Sequence, residues 1–207
     1  MHTYLTDYLF QNAKTTPDKP AIIFNEQVIS WHELAERVEL GATNLKSRLS
    51  NLEQEVVGIM LPNSPEFIVA HLSIVHAGHI SMPLDPNYKQ PEITPVTDQM
   101  KPRFTITNQA AQSYFTQATV LFDELIVPHN DLEKDHLRLD PKYQYVSMLF
   151  TSGTTGNPKA TPYSHANHIW NIKAVSDLWK WDSTDTLLIS LPLSHWHGLC
   201  VGLTGAL

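Results

Sequence analysis

The stretch that decides the reading is Tyr145-Val146-Ser147-Met148-Leu149-Phe150, running straight into Thr151-Ser152-Gly153-Thr154-Thr155-Gly156-Asn157-Pro158-Lys159. The first part, rich in apolar and β-favouring residues, predicts a buried strand over 145–150. The second part gathers four hydroxyl side chains, two glycines and one lysine within nine residues. Glycine lets a backbone take positive φ and approach a ligand closely. Free N–H groups in such a turn point into a concavity that favours anions. The hydroxyls add donors, and Lys159 adds a positive charge on a long stem, suited to a polyphosphate. Pro158 stiffens the chain just before that lysine. A plain surface turn can share this composition. The position directly after a strand and the terminal lysine favour phosphate binding instead. A Walker A loop is excluded on spacing: it needs four residues between its glycine and Gly-Lys, with Ser or Thr next. Here two residues separate Gly153 from Gly156, and Ala160 follows the lysine.

On either side of this stretch, helix and strand signals alternate. Residues 21–24 and 27–30 form two short apolar runs around Asn25-Glu26, a hairpin pattern. Ser30-Trp31-His32-Glu33 is a capping box, and the helix it opens carries Leu34, Val38, Ala42, Leu45 and Leu49 on one face. A strand follows over 56–61. Ser64-Pro65 starts a second helix, with Ile68, Leu72 and Val75 on its buried face and Gly78 as its stop. Further elements are a strand over 80–84 ending at Asp85-Pro86-Asn87, a helix over 91–100 and a strand over 104–107. Residues 123–142 read mostly as loop. Beyond the Lys159 loop come a helix over 164–179, a strand over 186–190 and, in the last residues, the start of an apolar helix. This order predicts an α/β fold: a layered, largely parallel sheet flanked by helices.

Composition narrows the function classes. Across 207 residues, 14 Lys plus Arg stand against 21 Asp plus Glu, a formal charge of −7. An acidic balance without a basic stripe argues against a nucleic-acid surface. No apolar run approaches the roughly 18 residues that a membrane span requires. The N-terminus lacks the basic start and apolar centre of a signal peptide. One cysteine, Cys200, cannot form an internal disulfide, so the compartment expected is reducing and cytoplasmic. Eleven histidines invite a metal reading, above all His195-x-His197 and His165-x-x-His168 with Cys200. Zinc sites need three or four ligands at recognisable spacing, and neither HExxH nor paired cysteines occur. No metal ligand is therefore assigned. His71, His76 and His79 are read as structural, Trp179 and Trp181 as packing residues, and Cys200 as core.

Thr151-Ser152-Gly153-Thr154-Thr155-Gly156-Asn157-Pro158-Lys159 resembles the signature of the adenylate-forming superfamily, which includes acyl-CoA synthetases, peptide-synthetase adenylation domains and luciferases. Three further stretches agree in order. Ile29-Ser30-Trp31-His32-Glu33-Leu34 is similar to an early Tyr-x-Glu-Leu segment of that family. Residues 57–78 with Ser81-Met82-Pro83-Leu84-Asp85-Pro86 resemble its second core motif. Leu191-Pro192-Leu193-Ser194-His195-Trp196-His197-Gly198 resembles its fourth, where His195 takes the place of a residue lining the carboxylate pocket. The similarity covers about residue 8 to the end. Ala160 departs from the family's usual glycine, and Thr161-Pro162 is an unusual continuation.

The resemblance implies ATP-dependent activation of a small-molecule carboxylic acid, fatty or otherwise neutral. The acid forms an acyl-adenylate, and coenzyme A then displaces AMP to give an acyl-CoA. Thr151, Ser152, Thr154, Thr155 and Lys159 would contact phosphate, with Gly153 and Gly156 shaping the loop. Lys159 and His195 are the expected catalytic side chains, and Mg2+ would ride on the phosphates. The family's later motifs, with its adenine contacts and C-terminal lysine, have no counterpart here. Residues 1–207 are thus expected to be an incomplete N-terminal AMP-binding domain, truncated and without the C-terminal lid domain. Two other readings stay open: a short nucleotide-binding or interaction module derived from that family, and a peptide-synthetase-type adenylation domain. The absence of Asp or Glu over 191–205 argues against an amine-bearing acid.

Overall fold

The computed structural model describes residues 4–50, 52–128, 144–151 and 158–207. Helix α1 (Leu5–Thr15) leads into the hairpin β1 (Pro20–Phe24) and β2 (Gln27–Ser30), whose turn holds Asn25 at φ 53. Asparagine tolerates that left-handed geometry better than most residues. Helix α2 (Trp31–Lys46) starts at the predicted capping box: the Glu33 N–H donates to Ser30 Oγ, and the Ser30 N–H donates to Glu33 Oε2. It ends before Leu49, which is buried all the same beyond the last turn.

The main sheet has six strands in the order β6-β5-β3-β4-β7-β8. They are β3 (Val56–Met60), β4 (Ile80–Pro83), β5 (Thr105–Thr107), β6 (Thr119–Leu121), β7 (Tyr145–Thr151) and β8 (Lys159–Ser164). All neighbouring pairs are parallel except β7 and β8. Helix α3 (Pro65–His76) connects β3 to β4, and α4 (Gln90–Met100) connects β4 to β5. Strand β3 alternates faces as a two-residue period demands. Val57 and Ile59 pack with Phe67, Leu72 and Ile74 of α3 and with Leu34, Val38 and Leu45 of α2. Met60 instead packs with Met82, Met148 and Ile93 and Val96 of α4. The two connections therefore leave adjacent strands toward opposite faces. In an open α/β sheet, that arrangement opens a crevice at the carboxyl ends of the strands concerned. Gly78, just past α3, sits at φ 90, a conformation that other residues strongly resist.

Short elements depart from the sequence reading. α5 (Gln109–Gln112), β6 and α6 (Phe122–Leu125) each span three or four residues. The start of the segment read as loop over 123–142 is thus helical, and residues 129–142 of it lie outside the described residues. Leu125 is buried, and its carbonyl accepts from Asn44 Nδ2 at 2.8 Å. The strand expected over 186–190 does not form; the strand beside β7 is β8, through six register pairs. Leu188 is accordingly 90% exposed. Helix α7 (His165–Trp179) begins at Ser164 as expected. The closing apolar segment is a π-helical turn, His197–Leu203, followed by a 3-10 turn over Thr204–Ala206.

Candidate nucleotide and carboxylate site

The loop that decided the sequence reading joins two antiparallel strands. Thr151 and Lys159 are Cα partners at the last rung of the β7–β8 ladder, and both are exposed. Because β7 runs parallel to β4 and β4 to β3, this mouth opens at the carboxyl end of the sheet. Strand β7 neighbours β4, one of the two strands whose connections diverge. A hydroxyl and an ammonium group thus stand together where an open sheet receives ligands, which fits a polyphosphate. Ser152, Gly153, Thr154, Thr155 and Gly156 lie outside the described residues.

The segment with His195 reaches the same end of the sheet by a different route. Asn63, in the turn between β3 and α3, donates from Nδ2 to the Leu191 carbonyl at 2.8 Å. Its Oδ1 accepts from the Leu193 N–H at 2.9 Å. The His195 N–H donates to the Pro192 carbonyl at 3.2 Å, and the Leu199 N–H donates to the His195 carbonyl at 2.9 Å. Gly198 closes the turn: a Cβ there would lie 2.2 Å from the Pro192 carbonyl oxygen. Trp196 packs against Tyr163 with ring centroids 4.0 Å apart and planes tilted by 33°, and its ring lies 5.4 Å from that of His168. The imidazoles of His195 and His197 are exposed. Among the described residues no hydrogen bond links His195 to Thr151 or Lys159. Asn63 was missed by the sequence reading, since an Asn between Pro62 and Ser64 looks like ordinary turn chemistry.

His71, His76, His79, His165 and His168 are held by structural partners. His71 Nδ1 is 2.9 Å from Ser81 Oγ, and His168 Nε2 is 2.9 Å from Ser147 Oγ. Ser81 and Ser147 are themselves Cα partners across β4 and β7. Burial pushes both imidazoles down to about 3. Burial likewise pushes His79 down to about 4, and its Nδ1 accepts from the Glu55 N–H at 3.2 Å. His165 Nδ1 accepts from the Leu5 N–H at 2.9 Å, tying α1 to the start of α7. His76 Nε2 meets Glu39 Oε2 at 3.0 Å. Among the described residues no three His, Cys, Asp or Glu side chains converge on a point that could hold a metal. Burial pushes the Cys200 thiol up to about 12, so it stays neutral. Leu199 and Leu203 pack into the main core. A cavity of about 430 Å³ lined by Gln54, Glu55, Val56, Lys101, Pro102 and Arg103 lies at the opposite, amino ends of β3 and β5.

The fold matches that of the N-terminal subdomain of adenylate-forming enzymes. The solved structures agree. The o-succinylbenzoate CoA synthetase of Bacillus subtilis, bound to its acyl-adenylate intermediate, superposes with TM-score 0.84 at 22% identity, covering 97% of this chain and 53% of that one. ATP-bound MatB from Rhodopseudomonas palustris superposes with TM-score 0.85 at 25% identity, over 99% of this chain and 43% of that one. Residues 9–207 match the family described as AMP-binding enzyme, and the chain belongs to that family. Relatives by sequence fall into two groups. 2-Succinylbenzoate–CoA ligase of Salmonella typhimurium is 28% identical over 86% of this chain and 38% of its own length. Gramicidin S synthase 2 of Brevibacillus brevis is 28% identical over 81% of this chain and 4% of its own length. The chain thus spans about half the length, or less, of the proteins it matches. No helix among the described residues is long and apolar enough to cross a membrane.

Proposed function

We propose that the protein containing this chain activates a neutral carboxylic acid with ATP and passes the acyl group to coenzyme A. Residues 1–207 would form the N-terminal AMP-binding part of that enzyme. The observation that carries the reading is the pairing of Thr151 with Lys159 at the carboxyl end of β7, flanking the hydroxyl- and glycine-rich loop. In the reaction a carboxylate oxygen bonds to the α-phosphorus of ATP while the bond from that phosphorus to the bridging oxygen breaks. Pyrophosphate leaves with the electron pair. Lys159 and the loop hydroxyls of Thr151, Ser152, Thr154 and Thr155 meet the charge that develops on the departing phosphates, and Gly153 and Gly156 let the backbone approach them. Mg2+ would accompany the phosphates. The thiol of coenzyme A then attacks the acyl carbon, and AMP departs. His195 would line the carboxylate subsite.

A neutral rather than amine-bearing acid is favoured because residues 191–205 contain no Asp or Glu to pair with an ammonium group. A long fatty chain draws no support from Leu199 and Leu203, since both are committed to the core. The similarity to Gramicidin S synthase 2 supports a second reading, an adenylation domain of the peptide-synthetase kind. ATP–pyrophosphate exchange separates them, run on the protein purified from its own cells so that its native length is tested. A panel of dicarboxylic, aromatic, short and long aliphatic acids and amino acids serves as substrates. Exchange with a non-amino acid supports the ligase reading, and exchange with amino acids alone supports the second. Exchange with none overturns both.

A further inference from the structure

We propose that Asn63 is a positioning residue that fixes the Leu191–Gly198 turn and through it the carboxylate subsite; the subsite clause rests on the reading under Proposed function. Asn63 lies 128 residues before Leu191 and 130 before Leu193, yet its single amide bonds both. One carboxamide supplies a donor and an acceptor, on separate atoms, to two backbone groups of the same short segment. The alternative amide orientation would set its N–H2 against the Leu193 N–H and its oxygen against the Leu191 carbonyl, so the network fixes the assignment.

The mount is rigid. Asn63 follows the end of β3, and the next residue, Ser64, caps α3 by accepting from the Phe67 N–H at 3.4 Å. Pro62 and Pro65 on either side restrict the backbone. The other side of the turn is equally constrained. Gly198 leaves no room for a Cβ against Pro192, and Leu193 is buried in the main core. The amide and the glycine together restrict the Leu191–Leu193 backbone, and His195 follows two residues on. Losing the clamp frees the turn without unfolding the sheet, because Leu193, Leu199 and Leu203 still anchor its flanks in the core.

The test uses native-length protein with Asn63→Ala and Asn63→Asp. The Asp variant keeps the acceptor for the Leu193 N–H and loses the donor to Leu191. Hydrogen exchange at the Leu193 and His195 amides is expected to speed up by about tenfold in Asn63→Ala, and by less in Asn63→Asp. In ATP–pyrophosphate exchange, with the acid that supports it best, Asn63→Ala is expected to raise the acid's KM by about tenfold. The KM for ATP should change less than about twofold, since the bonds from Asn63 go to the Leu191–Leu193 backbone rather than to Thr151 or Lys159. A purely structural role would lower the active fraction and leave both KM values alone. Unchanged amide exchange overturns the clamp. Faster amide exchange with an unaltered acid KM overturns the link to the subsite. Absence of pyrophosphate exchange by the unsubstituted protein overturns the activation reading and the subsite role with it, while amide exchange still decides the clamp.

Discussion

Thr151 and Lys159 face each other across the open end of an antiparallel strand pair, so the residues that begin and end the loop are held at a fixed separation. The backbone of Lys159, on the first residue of β8, is fixed before any ligand arrives, so its side chain starts from a set position beside Thr151. On the proposed reading its ammonium group meets the charge that develops on the departing phosphates. Lys159→Ala is therefore expected to slow ATP–pyrophosphate exchange by roughly 10²–10³-fold. Thermal stability should hardly change, since the side chain is exposed. Exchange at the unsubstituted rate removes Lys159 from the site.

Protonation of the buried histidines makes stability depend on pH. His71 and His168 titrate near 3 in the folded chain and His79 near 4, against an ordinary value of 6.5. Because the folded pKa values are depressed, the unfolded chain takes up protons first as pH falls, and stability drops with it. Stability is full above about pH 6.5 and declines toward pH 3–4. Each such group contributes a slope of up to about 1.4 kcal/mol per pH unit below the unfolded value. Urea unfolding at pH 7.5, 6.0 and 5.0 should show a falling midpoint, and His71→Gln with His168→Gln should flatten the decline. An unchanged midpoint between pH 7.5 and 5.0 would contradict this.

Cys200 illustrates a group that the fold keeps inert. It is fully buried, and burial holds its thiol near 12, far from the thiolate that reacts. A maleimide reagent at pH 7 is expected to leave the native chain unlabelled and to label it once in guanidinium chloride. Rapid labelling of the native protein would show that the π-helical turn opens readily.

Much of this architecture was legible in the sequence where a local rule acts alone. Ser30 and Glu33 announced α2, Ser64-Pro65 announced α3, and the apolar run before Thr151 announced β7. Strand β6 and helices α5 and α6 were not legible, because three or four residues hold too little periodicity to read. Residues 186–190 look like a strand but pair with no strand of the sheet, and a local apolar pattern does not say which partner a segment will find. The final helix was expected, but its π geometry was not; its Thr204 N–H donates to the Leu199 carbonyl five residues back. The candidate site divides the same way. Thr151 and Lys159 carry a local signal, while the bonds from Asn63 to Leu191 and Leu193 join distant segments that no local pattern connects.

The measurement that bears most directly on the central claim is isotope transfer from the carboxylic acid to AMP. The native-length protein would be given ATP, coenzyme A and the acid identified by pyrophosphate exchange, labelled with ¹⁸O in its carboxylate. Attack by the carboxylate on the α-phosphorus predicts one labelled oxygen in the AMP released and none in pyrophosphate. Label in inorganic phosphate, or acyl-CoA formation with unlabelled AMP, would contradict adenylate formation as the function built around Thr151 and Lys159.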